Sequence, residues 1–160
     1  MSLFKLAPAG VLAASFLSIA ATAAPLGPFA TLTGTWSGSG TIDFKDGHSE
    51  RLRCRADEIG GRGNTLKLTL RCASDSYNFE LSSDVAYQDG ALTGTWSEAT
   101  HNASGPVTGS ISGNRIDVAA RGQNFAANLR LTTMGNRQVV SISAAGSGEI
   151  SGVMLEMNRR

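Results

Sequence analysis

The chain has 160 residues, with 14 Lys and Arg against 13 Asp and Glu, a formal net charge of +1. So even a balance gives no global pull toward nucleic acid or an anionic membrane. Two cysteines and two histidines leave little material for metal clusters or nucleophilic catalysis.

Lys5 is the only charged residue before Asp43, and an apolar run from Leu6 to Ala21 follows it. Ala21-Thr22-Ala23 places small residues where a signal peptidase reads them. Residues 1–23 therefore read as a Sec-type signal peptide cut after Ala23. Cleavage one residue later would set Pro25 beside the scissile bond. Pro8 and Gly10 interrupt the run, which is short for a membrane span. No later apolar stretch is long enough to cross a bilayer as a helix. Residues 24–30 read as a linker and 31–160 as one domain. Export implies the periplasm or the exterior, where Cys54 and Cys72 are expected to form a disulfide. Their spacing, with no neighbouring His, is not a metal-ligand pattern.

From Thr31 onward the chain alternates with a period of two, and turn signals arrive at close intervals. Leu32-Thr33-Gly34-Thr35-Trp36-Ser37 opens the first strand, whose inward set is Leu32, Gly34, Trp36, Gly38, Gly40, Ile42 and Phe44. Asp46-Gly47-His48 turns the chain; centred on Gly47, the hairpin sets Ile42 opposite Leu52 and Gly40 opposite Cys54. The second strand buries Leu52, Cys54 and Ala56 and turns Arg51, Arg53, Arg55 and Asp57 outward. Glu58 also has inward parity, and near a strand end it is expected to reach solvent. After a turn centred on Gly63, the third strand buries Leu66, Leu68, Leu70 and Cys72. That register places Cys54 directly opposite Cys72, close enough to bond, and the apolar faces choose the same register independently.

Ser74-Asp75 leads into Tyr77, Phe79, Leu81, Ser83, Val85 and Tyr87, all of one parity. Asp89-Gly90 is a type I′ hairpin signal that places Leu92 opposite Tyr87. Leu92-Thr93-Gly94-Thr95-Trp96-Ser97 then repeats the opening motif, and Trp36 and Trp96 are the only tryptophans. Glu98 to Pro106 reads as a polar loop. Short strands resume with Val107, Gly109 and Ile111, then Ile116, Val118 and Ala120, then Phe125 to Leu131, then Val140 to Ala144. Gly113-Asn114, Arg121-Gly122 and Gly135-Asn136 read as the turns between them. A last strand runs from about Glu149 to Met157. Its inward face is either Ile150, Gly152 and Met154 or Val153, Leu155 and Met157.

Besides the Trp motif, Leu68–Ser82 matches Leu129–Ser143 without gaps in strand and turn pattern. This suggests an internal duplication with halves of about 31–90 and 91–149. The expected fold is all-β: an antiparallel up-and-down meander of about 8–10 strands, closed or nearly closed into a barrel. The alternative is a two-sheet sandwich.

The Leu-Thr-Gly-Thr-Trp openings with Gly-rich polar turns, over Leu32–Ser37 and Ala91–Asn102, resemble avidin-type and lipocalin-type small barrels. Avidins line their site with several tryptophans; here there are two, so biotin binding does not carry over. The signal, Leu52-Arg-Cys-Arg-Ala56, Leu70-Arg-Cys-Ala-Ser-Asp-Ser-Tyr77 and Gly94-Thr-Trp-Ser-Glu-Ala-Thr100 together resemble small uncharacterised exported proteins of alphaproteobacteria. That resemblance implies a bacterial periplasmic setting and no particular activity.

No enzyme chemistry stands out. His48 lies in a turn and His101 in a polar loop, where exposed histidines are common. No serine occupies a nucleophile elbow, and no Gly-rich loop joins a strand to a helix to cradle a phosphate or dinucleotide. Asp43, Glu50 and Asp57 read as solvated strand acids. No metal or cofactor is expected.

Two binding features remain. Arg51, Arg53 and Arg55 share an outer face, with Lys67 and Arg71 on the adjoining strand and Arg71 opposite Arg55. Such like-charge pairing invites an anionic partner such as lipopolysaccharide, an anionic headgroup or an acidic protein; the bland alternative is a solvated face. Aromatics are not interleaved with these arginines, which disfavours nucleic acid. The second feature is the run of small inward residues, including Gly34, Gly38, Gly40, Ala56, Gly94, Gly109, Ala120, Ala127 and Ala144. They either leave a cavity near Trp36 and Trp96 for an apolar or amphipathic ligand, or let a coiled sheet pack closely.

Overall fold

The computed structural model describes residues 27–60 and 63–160. Residues 1–26, where a signal peptide and its cleavage after Ala23 are expected, lie outside the described residues, as do Gly61 and Arg62. Among the described residues ten strands follow one another: β1 (Gly34–Phe44), β2 (Ser49–Gly60), β3 (Thr65–Ala73), β4 (Asn78–Gln88), β5 (Ala91–Glu98), β6 (Ala103–Ser112), β7 (Arg115–Gly122), β8 (Phe125–Met134), β9 (Arg137–Gly146) and β10 (Ile150–Arg159). Each pairs antiparallel with its successor, and β10 pairs with β1. The meander is thus a closed barrel and not a sandwich. Closure removes the two free edges that an open sheet of this length would expose.

The Gly63-centred hairpin has the expected register. Cys54 faces Cys72 and is bonded to it, with their Cα atoms 4.2 Å apart. That is near the roughly 4.5 Å of a non-hydrogen-bonded antiparallel pair. Tyr87 faces Leu92 across a turn in which Asp89 and Gly90 both take positive φ, as a type I′ turn requires.

The first hairpin differs. Ile42 faces Glu50 and Gly38 faces Cys54, a register two residues from expectation. The loop is Lys45–Gly47: Phe44 N donates to His48 O, and Gly47 closes the loop at φ +94. This is a three-residue hairpin with glycine in the left-handed region, so the centre is Asp46. A shift of two leaves every side chain on its expected face.

The polar loop after Trp96 is also shorter than its composition suggests. Only residues 99–102 lie outside strands, and Pro106 sits within β6, facing Thr95. Proline has no N–H to give, and the β6–β7 ladder starts just beyond it, at Val107 and Ala120. The Arg121 carbonyl accepts the Trp96 indole N–H at 2.9 Å. The next turn is Gln123-Asn124, with Asn124 at φ +60, two residues later than expected.

In β10 the two candidate faces both have a basis. Gly152 pairs with Asp43 but Ile150 pairs with Phe44, so Ser151 is a bulge. A bulge reverses parity. Val153, Leu155 and Met157 are buried, Ile150 packs on the same cluster, and Met154 is 50% exposed.

The barrel ends are distinguished by their loops. We call the end with the β2–β3, β4–β5, β6–β7 and β8–β9 turns upper and the other lower. β1 and β5 carry the Trp motif in the same direction, four strands apart. The β3–β4 hairpin turns at the lower end and its sequence match, β8–β9, at the upper end, five strands away. The two matches therefore do not describe one rotation of the barrel.

Candidate functional site

Side chains fill the lumen unevenly. Trp36, Ile42, Phe44, Leu52, Cys54, Ala56, Leu70, Cys72, Val140, Val153, Leu155 and Met157 form one buried cluster against β10, β1 and β2. Across the lumen, Leu81, Ser83, Val85, Val118, Ala120 and Leu129 face inward and keep part of their surface exposed, although Leu81 and Leu129 still pack against this cluster and Val85 and Val118 against the one at the upper end. The inward glycines do not account for this openness. A Cβ on Gly40 would lie 1.8 Å from the Met154 carbonyl oxygen, and one on Gly94 would lie 2.0 Å from that of Asp84. These glycines permit close backbone approach in a coiled sheet. Ser83, Ala120 and Ala144 put short, part-exposed side chains on the inward faces of β4, β7 and β9.

The upper end is plugged. Residues 28–32 form turns, and Phe29 and Leu32 are buried with Leu66, Leu92 and Ile116. Three straps hold the plug. Trp36 Nε1 donates to the Leu32 carbonyl at 2.7 Å, Gly60 N donates to Thr33 Oγ1 at 3.0 Å, and Arg159 donates to the Thr31 and Thr33 carbonyls. The Arg159 guanidinium also lies 4.2 Å over the Trp36 ring, a cation–π contact.

Glu58 sits under this plug and does not reach solvent. It is 4% exposed, and Gln138 Nε2, on a fully buried side chain, donates to it at 3.1 Å. Burial pushes its carboxyl up to about 7, although the Gln138 bond and the Arg159 charge pull the other way. Its inward parity was legible, but Gln138, 80 residues later, gave no local signal.

The lower end carries only hairpin loops among the described residues. Both histidines lie here. His48 stacks on Phe44 at 4.1 Å between ring centres, and its Nδ1 meets Asp46 Oδ1 at 2.5 Å. His101 stacks on Tyr77 at 4.8 Å, and its Nδ1 meets Glu98 Oε2 at 2.8 Å. Phe44 and Tyr77 contact edge to face at 6.0 Å and join the two stacks. Burial alone would raise Glu98, but the backbone N–H groups of Glu80, Thr100 and His101 outweigh it and hold the carboxyl at about 2. Hydrogen bonds from the Ser74 and Ser76 hydroxyls and the Ser76 N–H hold Glu50 at about 2. Sequence reading placed both histidines in exposed loops, which is so, and missed their convergence on one aromatic rim.

The basic outer face divides. Arg55 does face Arg71, and Arg51, Arg53 and Arg55 point outward. Lys67 pairs with Asp84 at 2.8 Å and Arg71 with Glu80 at 3.0 Å. The neutralising acids are thus on β4. Two open grooves, of about 400 and 510 Å³, also lie on the outer wall. One, over β6–β9, is lined by residues such as Thr108, Asp117, Asn128 and Arg130, the other, over β4–β6, by Ser82, Asp84, Ser97 and Pro106.

No protein-family model matches the chain, and no curated protein matches it in sequence. Solved structures do share its fold. Rv2717c from M. tuberculosis aligns with a TM-score of 0.68 at 12% identity, over 82% of this chain and 94% of that one. The S-type phycobiliprotein lyase CPES from Guillardia theta aligns at 0.61 and 10% identity, over 82% of this chain and 90% of that one. EF1p2_mFAP2b, solved bound to DFHBI, aligns at 0.50 and 12% identity, over 81% and 94%. The likeness is one of fold: this chain is a lipocalin-like closed β-barrel with a disulfide.

Proposed function

We propose that this protein is an exported, non-enzymatic barrel that carries a small apolar or amphipathic ligand in its lumen, entering by the lower mouth. The carrying observation is the unequal filling of the interior. The β10–β1–β2 side is packed, the upper end is plugged, and inward side chains such as Leu81, Ser83 and Val85 of β4, Val118 and Ala120 of β7 and Leu129 and Leu131 of β8 remain part-exposed. Tyr77 and Phe79 supply aromatic surface where such a ligand would enter. Ligand-holding barrels such as the DFHBI-bound EF1p2_mFAP2b lend the fold-level precedent. The disulfide fits an oxidising compartment, and among the described residues no helix is long and apolar enough to cross a membrane.

A binding role fits the acids better than catalysis does. Glu98 is committed to three backbone N–H groups and His101, and at about 2 it does not exchange protons near neutrality. Glu58 has the pKa of a proton-transfer group but is sealed from any substrate entering below. The anionic-partner reading is weakened by the Lys67–Asp84 and Arg71–Glu80 pairs. The test is titration with a neutral, environment-sensitive dye such as Nile red. Saturable binding at one site per chain, lost in Ala120→Leu, is expected. Absence of saturable binding, or equal binding by the variant, would sink the carrier reading.

A further inference from the structure

The Glu58–Gln138 pair poses a donor problem at the plugged end. Gln138 Nε2 donates to Glu58 Oε2, but Gln138 Oε1 is buried and has no donor. Gln138 is fully buried, so no water-sized space adjoins it. Thr133, its cross-strand partner on β8, is buried too, and its hydroxyl makes no bond either. A buried acceptor without a donor is costly, because the water it gave up is not replaced. A proton on Glu58 supplies the missing donor. A carboxylic acid and a primary amide then complement each other twice, O–H to amide oxygen and amide N–H to carboxyl oxygen.

The surroundings leave an ionised Glu58 one recourse. Opposite it stand Gly34 on β1 and Leu68 on β3, and Gln138 comes from β9. The plug contributes no charge, since residues 27–33 are Gly-Pro-Phe-Ala-Thr-Leu-Thr. Among the described residues, Arg159 on β10 is the one cation that bears on it. Arg159 is otherwise engaged as the strap on Thr31 and Thr33.

We infer that the upper end is a proton-controlled latch: protonated Glu58 pairs with Gln138 under the closed plug, and loss of its proton draws Arg159 off the Thr31 and Thr33 carbonyls and frees the Phe29–Leu32 turn. This goes beyond the carrier reading and needs no cargo to be true. Because Glu58 is held up to about 7, the change falls near neutrality.

Amide hydrogen exchange on the purified protein tests it, after correction for the pH dependence of intrinsic exchange. Leu32 N and Thr33 N both donate to the Phe29 carbonyl when the plug is closed. Their protection should fall at least tenfold between pH 5.5 and 8.5, while mid-strand amides of β1 and β2 hold theirs. Glu58→Gln, which keeps an uncharged partner for Gln138, should hold protection at both pH values. Arg159→Gln should lose it at both. The Glu58 carboxyl ¹³C shift, followed in the wild-type protein, should titrate with the same midpoint as the plug, which keeps the test decisive even if a variant does not fold. A flat protection profile, an unchanged profile in Glu58→Gln, or a carboxyl midpoint in the ordinary range near 4.5 would each overturn the latch.

Discussion

The β10–β1–β2 wall and the β4–β8 wall close one barrel by the same antiparallel ladder, yet their insides differ. On the first, Trp36, Ile42 and Leu52 are fully buried and Val153, Leu155 and Met157 nearly so. On the second, Leu81, Val85, Val118 and Leu129 stay part-exposed. Both walls contain glycines whose absent Cβ lets strands approach, Gly40 in one and Gly94 in the other. Closure is thus a property of the backbone, and filling is a property of the facing side chains. A lumen can be packed on one side and left accessible on the other without changing the hydrogen-bond ladder. The two tryptophans mark the difference. Trp36 is 0% exposed beneath Arg159 and the plug, whereas Trp96 is 6% exposed beside Phe125 and the lower mouth.

Truncating those tryptophans breaks the comparison most severely. Trp36→Ala removes a core ring, its bond to the Leu32 carbonyl and the platform under Arg159. It should cost toward the top of the roughly 3–5 kcal/mol range for such truncations. Trp96→Ala, on the looser wall, should cost about 3 kcal/mol, the lower end of that range. Urea unfolding of both variants measures the gap. Equal losses would mean that the two walls are packed alike.

The next effect is a pH dependence confined to the plugged end. Glu58 is raised from 4.5 to about 7, so between those values the folded chain holds a proton that the unfolded chain releases. Stability therefore falls as pH rises through that window. At about 1.4 kcal/mol per pKa unit the full loss is about 3.5 kcal/mol by pH 8. Glu98 and Glu50 act in the opposite sense and lower down: what they contribute is present above 4.5 and lost as pH falls toward 2. Unfolding midpoints at pH 5 and pH 8 should differ in the wild type and converge in Glu58→Gln. A wild-type midpoint that does not move would place Glu58 in contact with water.

A matched pair of substitutions sharpens the contrast. Ala56→Leu adds bulk between Trp36 and Leu70 on the dense wall, where Ala56 is 1% exposed. Overpacking there should cost about 1–3 kcal/mol. Ala120→Leu adds the same atoms on the β7 wall, where the site is part-exposed. It should change stability by less than about 0.5 kcal/mol, since the side chain grows into accessible space. Thermal denaturation of the two variants decides; a comparable loss at Ala120 would mean the lumen is full on that side as well.

The alternation of apolar residues and the glycine turns made the strands, the disulfide register and the closed barrel legible, because strand parity and turn chemistry are local. What failed had competing local signals. Pro106 reads as a breaker, yet a proline at the end of a ladder needs no partner on that side. Ile150 and Val153 contradict one another until the Ser151 bulge reconciles them. Residues 24–30 read as linker because nothing near Phe29 announces what covers it; the pocket that Phe29 fills, from Leu66, Leu92 and Ile116, exists only once the barrel closes. The partnership of Glu58 with Gln138 and the meeting of His48 and His101 on one rim depend on closure in the same way.

The smallest effect concerns the outer face of β2. Arg51, Arg53 and Arg55 alternate with Leu52 and Cys54, and Arg55 lies directly across from Arg71. Glu80 holds Arg71 and raises its pKa further, so this cation stays charged and the pair across the ladder stays like-charged. Replacing Arg53 and Arg55 with Ser should relieve that repulsion and raise stability by a few tenths of a kcal/mol at most. Low salt should enlarge the gain and high salt erase it, because exposed charges are screened within about 8 Å at physiological ionic strength. Retention on anionic vesicles at low salt completes the measurement. If wild type binds and the double variant does not, Arg51, Arg53 and Arg55 form a docking face despite the neutralisation of Lys67 and Arg71. Equal retention, or none by either protein, makes the stripe a solvated face and leaves the lumen as the molecule's binding surface.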